Sequence, residues 1–497
     1  MIPSANVFGH PAGLRPLFLT EFWERFSYYG MRALLILFMT APAASGGLGW
    51  DTARAGMIYG TYTALVYLAA LPGGLLADRV LGARRATLYG GIAIMVGHIC
   101  LALTGIATFY VGLALIIGGT GLLKPNISTM VGMLYPPGDR RRDAGFSIYY
   151  LGINLGAFVA PLVTGWLAQG STFKGLLTWW GISPERSWHF GFAAAAVGMG
   201  LGLVQYLAGG RDLGDVGRRP SHGGTVPRGF LYGAAGAATA IVVGVTLLAY
   251  VGLLSPALVT EGVGYLLLIV TAGFFVWLFG AKQWTTGERR RLIAILVLFA
   301  AAALFWSLFE QAGSTLNLFA QRSTRNEILG ISFPASWWQS LNSLYIIVLV
   351  PVFAAFWVRL GPRDPSSPVK FTLGLLFAAL GFAVLAIAAQ RAAGGVRVSP
   401  AWLAAVYLLH TIGELCLSPV GLSAMTKLAP ARIAGLVMGA WFLAASVGNY
   451  LGGAIASLYE TFSRPALFGT VTLMALVATL VMALASRPLA RMLARPG

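Results

Sequence analysis

Charge is what this chain has least of. Only 10% of its 497 residues are Asp, Glu, Lys or Arg, and the acids are scarcest, at 16. A soluble domain carries about 25%, so an ordinary water-soluble globule is excluded. There are two cysteines, Cys100 and Cys416, both within apolar runs. No disulfide framework is indicated, and they read as small core residues. The five histidines nowhere stand at metal-ligand spacing, and no nucleotide loop or nucleic-acid motif occurs. The N-terminus lacks a charged n-region and a small-residue cleavage site, so no signal peptide is expected. No polar stretch is long enough for a soluble domain.

What fills the chain is apolar: 57% of residues are hydrophobic. Runs of about twenty such residues recur along its whole length, which marks a polytopic all-α membrane protein. About fourteen spans are expected, near 15–40, 53–77, 85–105, 107–134, 144–168, 189–209, 229–252, 260–280, 292–319, 335–358, 371–390, 401–426, 434–459 and 466–486. The net charge of +18 does not point to nucleic acid. Its arginines cluster in alternate loops (Arg79, Arg84, Arg85; Arg140, Arg141, Arg142; Arg211, Arg218, Arg219, Arg228; Arg289, Arg290, Arg291 with Lys282). This is the positive-inside bias and places both termini in the cytoplasm, with anionic lipid as the contact of the basic loops. The polar stretch 169–188 then falls outside, with Trp179, Trp180 and Trp188 expected at the interface.

The second loop, "GGLLADRVLGARR" (73–85), resembles the signature loop of the major facilitator superfamily, where Asp78 and Arg79 can pair. A weaker echo, "WVRLGPRDP", begins at Trp357. The resemblance implies two six-helix bundles built of three-helix repeats. The expected division is an N-terminal bundle over 1–210, a linker with two inserted helices over 211–285, and a C-terminal bundle over 286–497.

Ionisable groups deep in the spans are few: Glu21, Glu24, Arg25 and Arg32 in the first, Lys124 in the fourth, Glu310 in the ninth and Glu414 in the twelfth. With the inserted pair set aside, these are the first helices of the four repeats, which line the cavity in that architecture. At about 100° per residue, Glu21, Glu24, Arg25, Tyr28, Tyr29 and Arg32 share one face. A static bundle gains little from so many buried ions; such residues mark ion and substrate pathways. A cavity with cations in one half and an acid in the other can clamp a zwitterionic peptide at both ends, guanidinium taking the carboxylate bidentately.

With those residues in view the chain is similar to bacterial proton-dependent oligopeptide transporters. "EFWERFSYYG" fits that family's E-x-x-E-R-F-x-Y-Y-G pattern. "GTGLLKPNIS" (119–128), "YLGINLGAF" (150–158), "FWSLFEQAGSTL" (305–316), "QSLN" (339–342) and "GELCLSPVGLS" (413–423) match further segments. The resemblance implies a proton-coupled symporter of di- and tripeptides in a bacterial inner membrane, not an enzyme, with protons as coupling ion and no cofactor. A monomer in contact with membrane lipids, and with no nucleic acid, is expected. Arg25, Arg32 and Lys124 would hold the peptide carboxylate, and Glu414 its amino group. Tyr28, Tyr29, Tyr67, Asn154 and Asn342 would contact its backbone. Trp306 and Trp441 would shape side-chain pockets, and Glu21, Glu24 and Glu310 would couple protons. Two positions depart from relatives: a second-helix histidine is Gly60 here, and a second acid beside Glu310 is Phe309.

Weaker signals remain. His410, one turn before Glu414, reads as a core or outer-mouth histidine rather than a relay. His98 reads as packing and His189 as an interfacial cap. "GLSA" (421–424) resembles an intramembrane serine-protease motif, but the nearby histidine, His410, lies on its own helix. The alternatives to a peptide symporter are a proton-coupled carrier of a non-peptide solute on the same fold, a channel, or an intramembrane hydrolase.

Overall fold

The structure, a computed structural model, describes residues 6–7, 9–218, 255–281, 284–430 and 433–494. Its long helices are α1 (Leu14–Thr40), α2 (Thr52–Leu76), α3 (Ala83–Ala102), α4 (Ile106–Met133), α5 (Arg142–Gln169), α7 (Ser187–Ala208), α8 (Pro256–Gly280), α9 (Thr286–Phe309), α11 (Ser340–Leu360), α12 (Ser367–Arg391), α13 (Pro400–Leu428), α14 (Ala434–Ser457) and α15 (Arg464–Ala494). Two short helices, α6 (Ser171–Trp179) and α10 (Thr315–Ser323), lie between them. Among the described residues the paired strands are two small hairpins, β1–β2 (Asn6–Val7 with His10–Pro11) and β3–β4 (Glu327–Ile328 with Ile331–Ser332). Twelve of the long helices, all but α1, are long and apolar enough to cross a membrane. At about 1.5 Å per residue α1 has the length too; its charges set it apart. The chain is a multi-pass membrane protein. The expected span at 229–252 lies outside the described residues. The one at 260–280 is α8, which packs against α2, α9 and α14.

Without water, each helix satisfies its own backbone, and small residues decide how closely helices approach. A Cβ on Gly90 would come within 2.5 Å of the Gly119 carbonyl oxygen, which ties α3 tightly to α4. In the first half α1 packs on α5 and α7, and α2 on α4; in the second α9 packs on α14, and α12 on α13 and α15. The halves meet where α2 crosses α14 and α5 meets α11. At the first crossing Gly60 lies against Gly453, and a Cβ on Gly60 would stand 2.4 Å from the Gly453 Cα. A histidine has no room there, which accounts physically for the glycine. At the second, Trp337 Nε1 donates to the Leu162 carbonyl (3.0 Å) and Ser340 Oγ to that of Phe158 (2.7 Å).

Both crossings sit toward the face that carries the 41–51 and 458–463 loops. A polar clasp spans the halves there. Glu460 Oε1 accepts from Thr52 Oγ1 and from Arg322 Nη1, each at 2.6 Å. The Thr52 hydroxyl, with Arg322, holds the Glu460 carboxyl below its usual range against the opposing effect of partial burial. A depressed carboxyl contributes fully above the ordinary carboxylate range and loses its contribution as the pH falls through the lowered value. Acid on that face should therefore loosen the clasp, and Glu460→Gln should loosen it at neutral pH. Because the pair is half-exposed, the open-to-closed ratio should change by no more than about fivefold. Spin-label distances between the loop-side ends of α2 and α14 read that ratio. A pH response unchanged in Glu460→Gln would remove the carboxyl from the clasp.

Four expectations need correction. The ninth span is not continuous: α9 ends at Phe309, a 3₁₀ turn covers Glu310–Gly313, and α10 restarts at Thr315. The cause is local. Tyr59 Oη and Arg32 Nε press on Gly313, where a Cβ would lie 1.8 Å and 3.0 Å from them. Gln311 Nε2 turns to the Ser307 and Gly452 carbonyls (3.0 and 2.9 Å). The signature loop is largely helix, with a π turn over Ala77–Leu81 and Gly82 (φ 75°) as the break. Asp78 and Arg79 form no ion pair, since adjacent helical residues do not face each other. Trp188 is buried and donates from Nε1 to the Ser45 carbonyl (3.1 Å), whereas Trp179 and Trp180 are exposed.

Candidate functional site

The charged stripe of α1 faces inward, and its groups sort into two clusters. Nearer the N-terminus, Arg25 Nε donates to Oε1 of Glu21 (2.7 Å) and stands 2.7 Å from Oε2 of Glu24. The second contact is ionic only, because among the described residues neither Glu24 oxygen has a hydrogen-bond partner. Tyr149, on α5, donates to Oε2 of Glu21 (2.6 Å). Glu21, Glu24 and Arg25 are all buried. Two acids thus share one guanidinium, an arrangement that holds a net negative charge away from water unless a proton or a second cation joins it.

Lys124, on α4, is the nearby cation. Its ammonium lies 4.2 Å from the centroid of the Tyr67 ring, a cation–π contact. No carboxylate stands within ion-pair distance of it among the described residues. Glu21 and Glu24, the acids nearby, are held by Arg25.

One turn beyond Tyr28 and Tyr29, Arg32 bridges the halves. Its Nη2 forms an ion pair with Glu310 Oε2, and its Nε donates to Tyr59 Oη (2.7 Å). The Tyr29 ring lies 5.6 Å from its guanidinium carbon. The 3₁₀ turn after α9 swings Glu310 toward α1, and both partners of the pair are buried. On α13, Glu414 Oε2 accepts from Asn342 Nδ2 (3.1 Å), and the same amide group reaches Thr411 Oγ1 (3.0 Å). Glu414 has no basic partner among the described residues.

A cavity joins these groups. Tyr29, Arg32, Tyr67, Trp306, Glu310, Asn342 and Glu414 line it together, with Trp306 Nε1 buried and unpartnered. Cation and acid enter from opposite halves of the chain. Of the other residues singled out in the sequence, Glu21, Glu24, Arg25 and Lys124 form the neighbouring cluster. Tyr28 is packed into the core, beneath Arg25. Asn154 donates to the carbonyl of its own helix at Tyr150 (2.9 Å), and Trp441 packs on Phe371 and Gly421. His410 lines the cavity, but its ring lies against Phe382 and Gly381 and its Nε2 has no partner. His98 is buried with both ring nitrogens unpartnered among the described residues, and His189 Nδ1 meets the Leu101 carbonyl.

Sequence reasoning missed Tyr59, Tyr149, Gln339 and Ser343. A signal for the last two was present: Gln339, Asn342 and Ser343 stand at i, i+3 and i+4, a polar face where a membrane helix begins. Tyr59 and Tyr149 carried none, because a tyrosine in an apolar span reads equally well as packing.

The comparisons with known proteins agree with this arrangement. The model of the POT family matches residues 84–474. The peptide transporter YePEPT of Yersinia enterocolitica is 42% identical over 506 aligned residues, covering 98% of this chain and 96% of that protein. A di-/tripeptide transporter of Lactococcus lactis subsp. cremoris is 37% identical, over 98% of this chain and 97% of its own length. A crystal structure of a peptide transporter POT in complex with sulfate superposes with a TM-score of 0.91 at 44% identity, covering 99% of this chain and 97% of that one. A POT family transporter in complex with 5-aminolevulinic acid gives 0.89 at 37% identity, over 98% of this chain and 99% of that one. The buried charges on α1, α4, α9 and α13, the cavity between the halves and these matches agree: the chain belongs to the POT family.

Proposed function

We propose that this protein is a proton-coupled symporter that imports di- and tripeptides across a bacterial inner membrane by alternating access. Both termini lie in the cytoplasm. The N-terminal bundle (1–210) and C-terminal bundle (286–497) move about the site, with 211–285 as linker and peripheral helices. The protein works as a monomer and needs protons but no cofactor. One observation carries the reading: among the described residues Lys124 has no acid and Glu414 has no base within ion-pair distance, and they stand in opposite halves. A zwitterion completes both ends at once. The complex of a solved relative with 5-aminolevulinic acid is in keeping with this, since that molecule also has an amine at one end and a carboxylate at the other.

In this reading Lys124, Arg25 and Arg32 hold the peptide carboxylate and Glu414, oriented by Asn342, holds the amine. Tyr28, Tyr29, Tyr67 and Asn154 serve the backbone, and Trp306 and Trp441 the side chains. Glu21, Glu24 and Glu310 exchange their basic partners for protons, and each exchange biases the two facings of the carrier. The test is accumulation of labelled dialanine in proteoliposomes with and without an inward proton gradient. Accumulation above the outside concentration only with the gradient supports the symporter. Dissipative flux in both cases would favour a channel, and hydrolysis an enzyme.

Glu414→Ala tests the amine contact. Dialanine should bind about tenfold to a hundredfold more weakly, the loss of a charge-assisted hydrogen bond, while an N-acetylated analogue should change little. Equal losses for the two ligands, by calorimetric titration, would take the amine away from Glu414.

A further inference from the structure

The β3–β4 hairpin leaves α10 and returns to α11 with an apolar tip. Ile328 is 53%, Leu329 97% and Ile331 71% exposed. Leu329 (φ 53°) and Gly330 (φ 80°) turn in the left-handed region, a conformation a bulky residue rarely takes. The base of the hairpin, by contrast, is fixed. Arg325 N donates to the Val398 carbonyl (2.9 Å), Phe333 N to that of Asn326 (2.9 Å), and Trp338 Nε1 to Asn326 Oδ1 (2.9 Å). The tip is therefore held out rather than loose. Exposed apolar groups held this way mark a surface that something covers.

Beneath the hairpin is a cavity of about 590 Å³ that shares no lining residue with the transport site. Its walls include Arg325, Glu327, Ile328, Trp338, Tyr345 and Ala404. Tyr345 closes its floor by donating to the Ala404 carbonyl (3.3 Å). Among the described residues neither the Arg325 guanidinium nor the Glu327 carboxylate has a hydrogen-bond or ion-pair partner. Opposite charges thus flank the mouth of a partly apolar pocket between α11 and α13. Leu341 and Tyr345 of its wall share a helical stripe with Val348 and Val352, which are exposed; on a membrane-crossing helix such apolar residues face the acyl chains. Trp338 and Tyr345 are among its walls, aromatic residues of the kind that gather at the headgroup level.

We propose that this cavity binds a phospholipid with an amine-bearing headgroup. Arg325 takes the phosphodiester, Glu327 the ammonium, and Ile328, Leu329 and Ile331 lie among the acyl chains. Continuity with the lipid-facing surface of α11 singles out lipid as the occupant, and the paired charges single out a zwitterionic headgroup. The inference does not depend on the transported solute.

Two measurements test it in nanodiscs of phosphatidylethanolamine and phosphatidylglycerol in equal parts. First, Leu329→Cys, made with Cys100→Ala and Cys416→Ala, is labelled with bimane. A lipid bearing a doxyl group near the headgroup should quench it more strongly than aqueous iodide does, the reverse of the same label at Glu185→Cys. Stronger quenching by iodide overturns the insertion. A disulfide-linked dimer of that variant without lipid quenching would assign the tip to a second copy and also overturn it. Second, lipids retained on the purified protein are counted by native mass spectrometry. Arg325→Gln should lower retained phosphatidylethanolamine about tenfold, and Glu327→Gln should remove its preference over phosphatidylglycerol. Unchanged retention in both variants overturns the headgroup assignment, and so does displacement of the lipid by dialanine. Dialanine uptake in either variant is a separate reading and bears only on transport.

Discussion

Glu310→Gln should abolish uphill peptide uptake and leave peptide-for-peptide exchange near the unsubstituted rate. Glu310 is buried and pairs with Arg32 across the two halves. A carboxylate at that depth must keep a partner or take a proton. Glutamine has nearly the shape of the protonated acid and cannot release a proton. In the variant Arg32 keeps Tyr59 and is permanently free to meet the peptide carboxylate. Binding and exchange should persist, because neither requires a proton to leave. Coupling should vanish: a gradient drives a carrier only through a group whose charge differs between its two facings. The accumulation ratio under an imposed gradient should fall to unity while counterflow continues. Uphill uptake at the original rate would remove Glu310 from coupling and shift it to Glu21 and Glu24.

Lys124→Ala should be as damaging to transport and yet harmless to the fold. Removing one partner of a buried ion pair strands the other charge and costs about 3–5 kcal/mol. Among the described residues Lys124 has no such partner; it rests on the Tyr67 ring. Alanine therefore strands nothing, and the protein should purify as a monodisperse species with an unchanged melting profile. The peptide should lose a charge-assisted contact, weakening dialanine binding about tenfold to a hundredfold. Proton-driven uptake should cease, since Glu24, which shares Arg25 with Glu21, loses the second cation of its cluster. Aggregation of the variant would give Lys124 a structural role. By the same argument Arg25→Ala should be poorly folded, because Glu21 and Glu24 both depend on it.

The architecture was legible in composition, because lipid leaves the backbone no choice but helix. The site was legible for the opposite reason. Seven ionisable groups in apolar helices are so costly that their positions, on the first helix of each repeat, pointed to a cavity without any contact being known. What stayed hidden was geometry that depends on two segments at once. That α9 breaks at Glu310 follows from Tyr59 and Arg32 pressing on Gly313, and no local signal near residue 313 reports them. Trp188 looked interfacial because its partner, the Ser45 carbonyl, is remote in sequence. The sharing of Arg25 between two acids was invisible in helical spacing, which places all three on one face without saying which pair meets.

Two polar contacts join the halves: the Arg32–Glu310 ion pair at the centre and, at the rim, the hydrogen bond from Thr52 to Glu460, whose carboxylate is held by Arg322 of its own half. Both must part when the halves separate along that face. Opening that face is therefore a conjunction. It demands that both contacts be surrendered in one stroke, and their free energies sum in a single barrier between the two facings. A proton at either carboxylate lowers that barrier, but only partial relief comes from one alone. The carrier thereby resembles a two-key lock, in which the rim samples the medium and the centre samples the cargo.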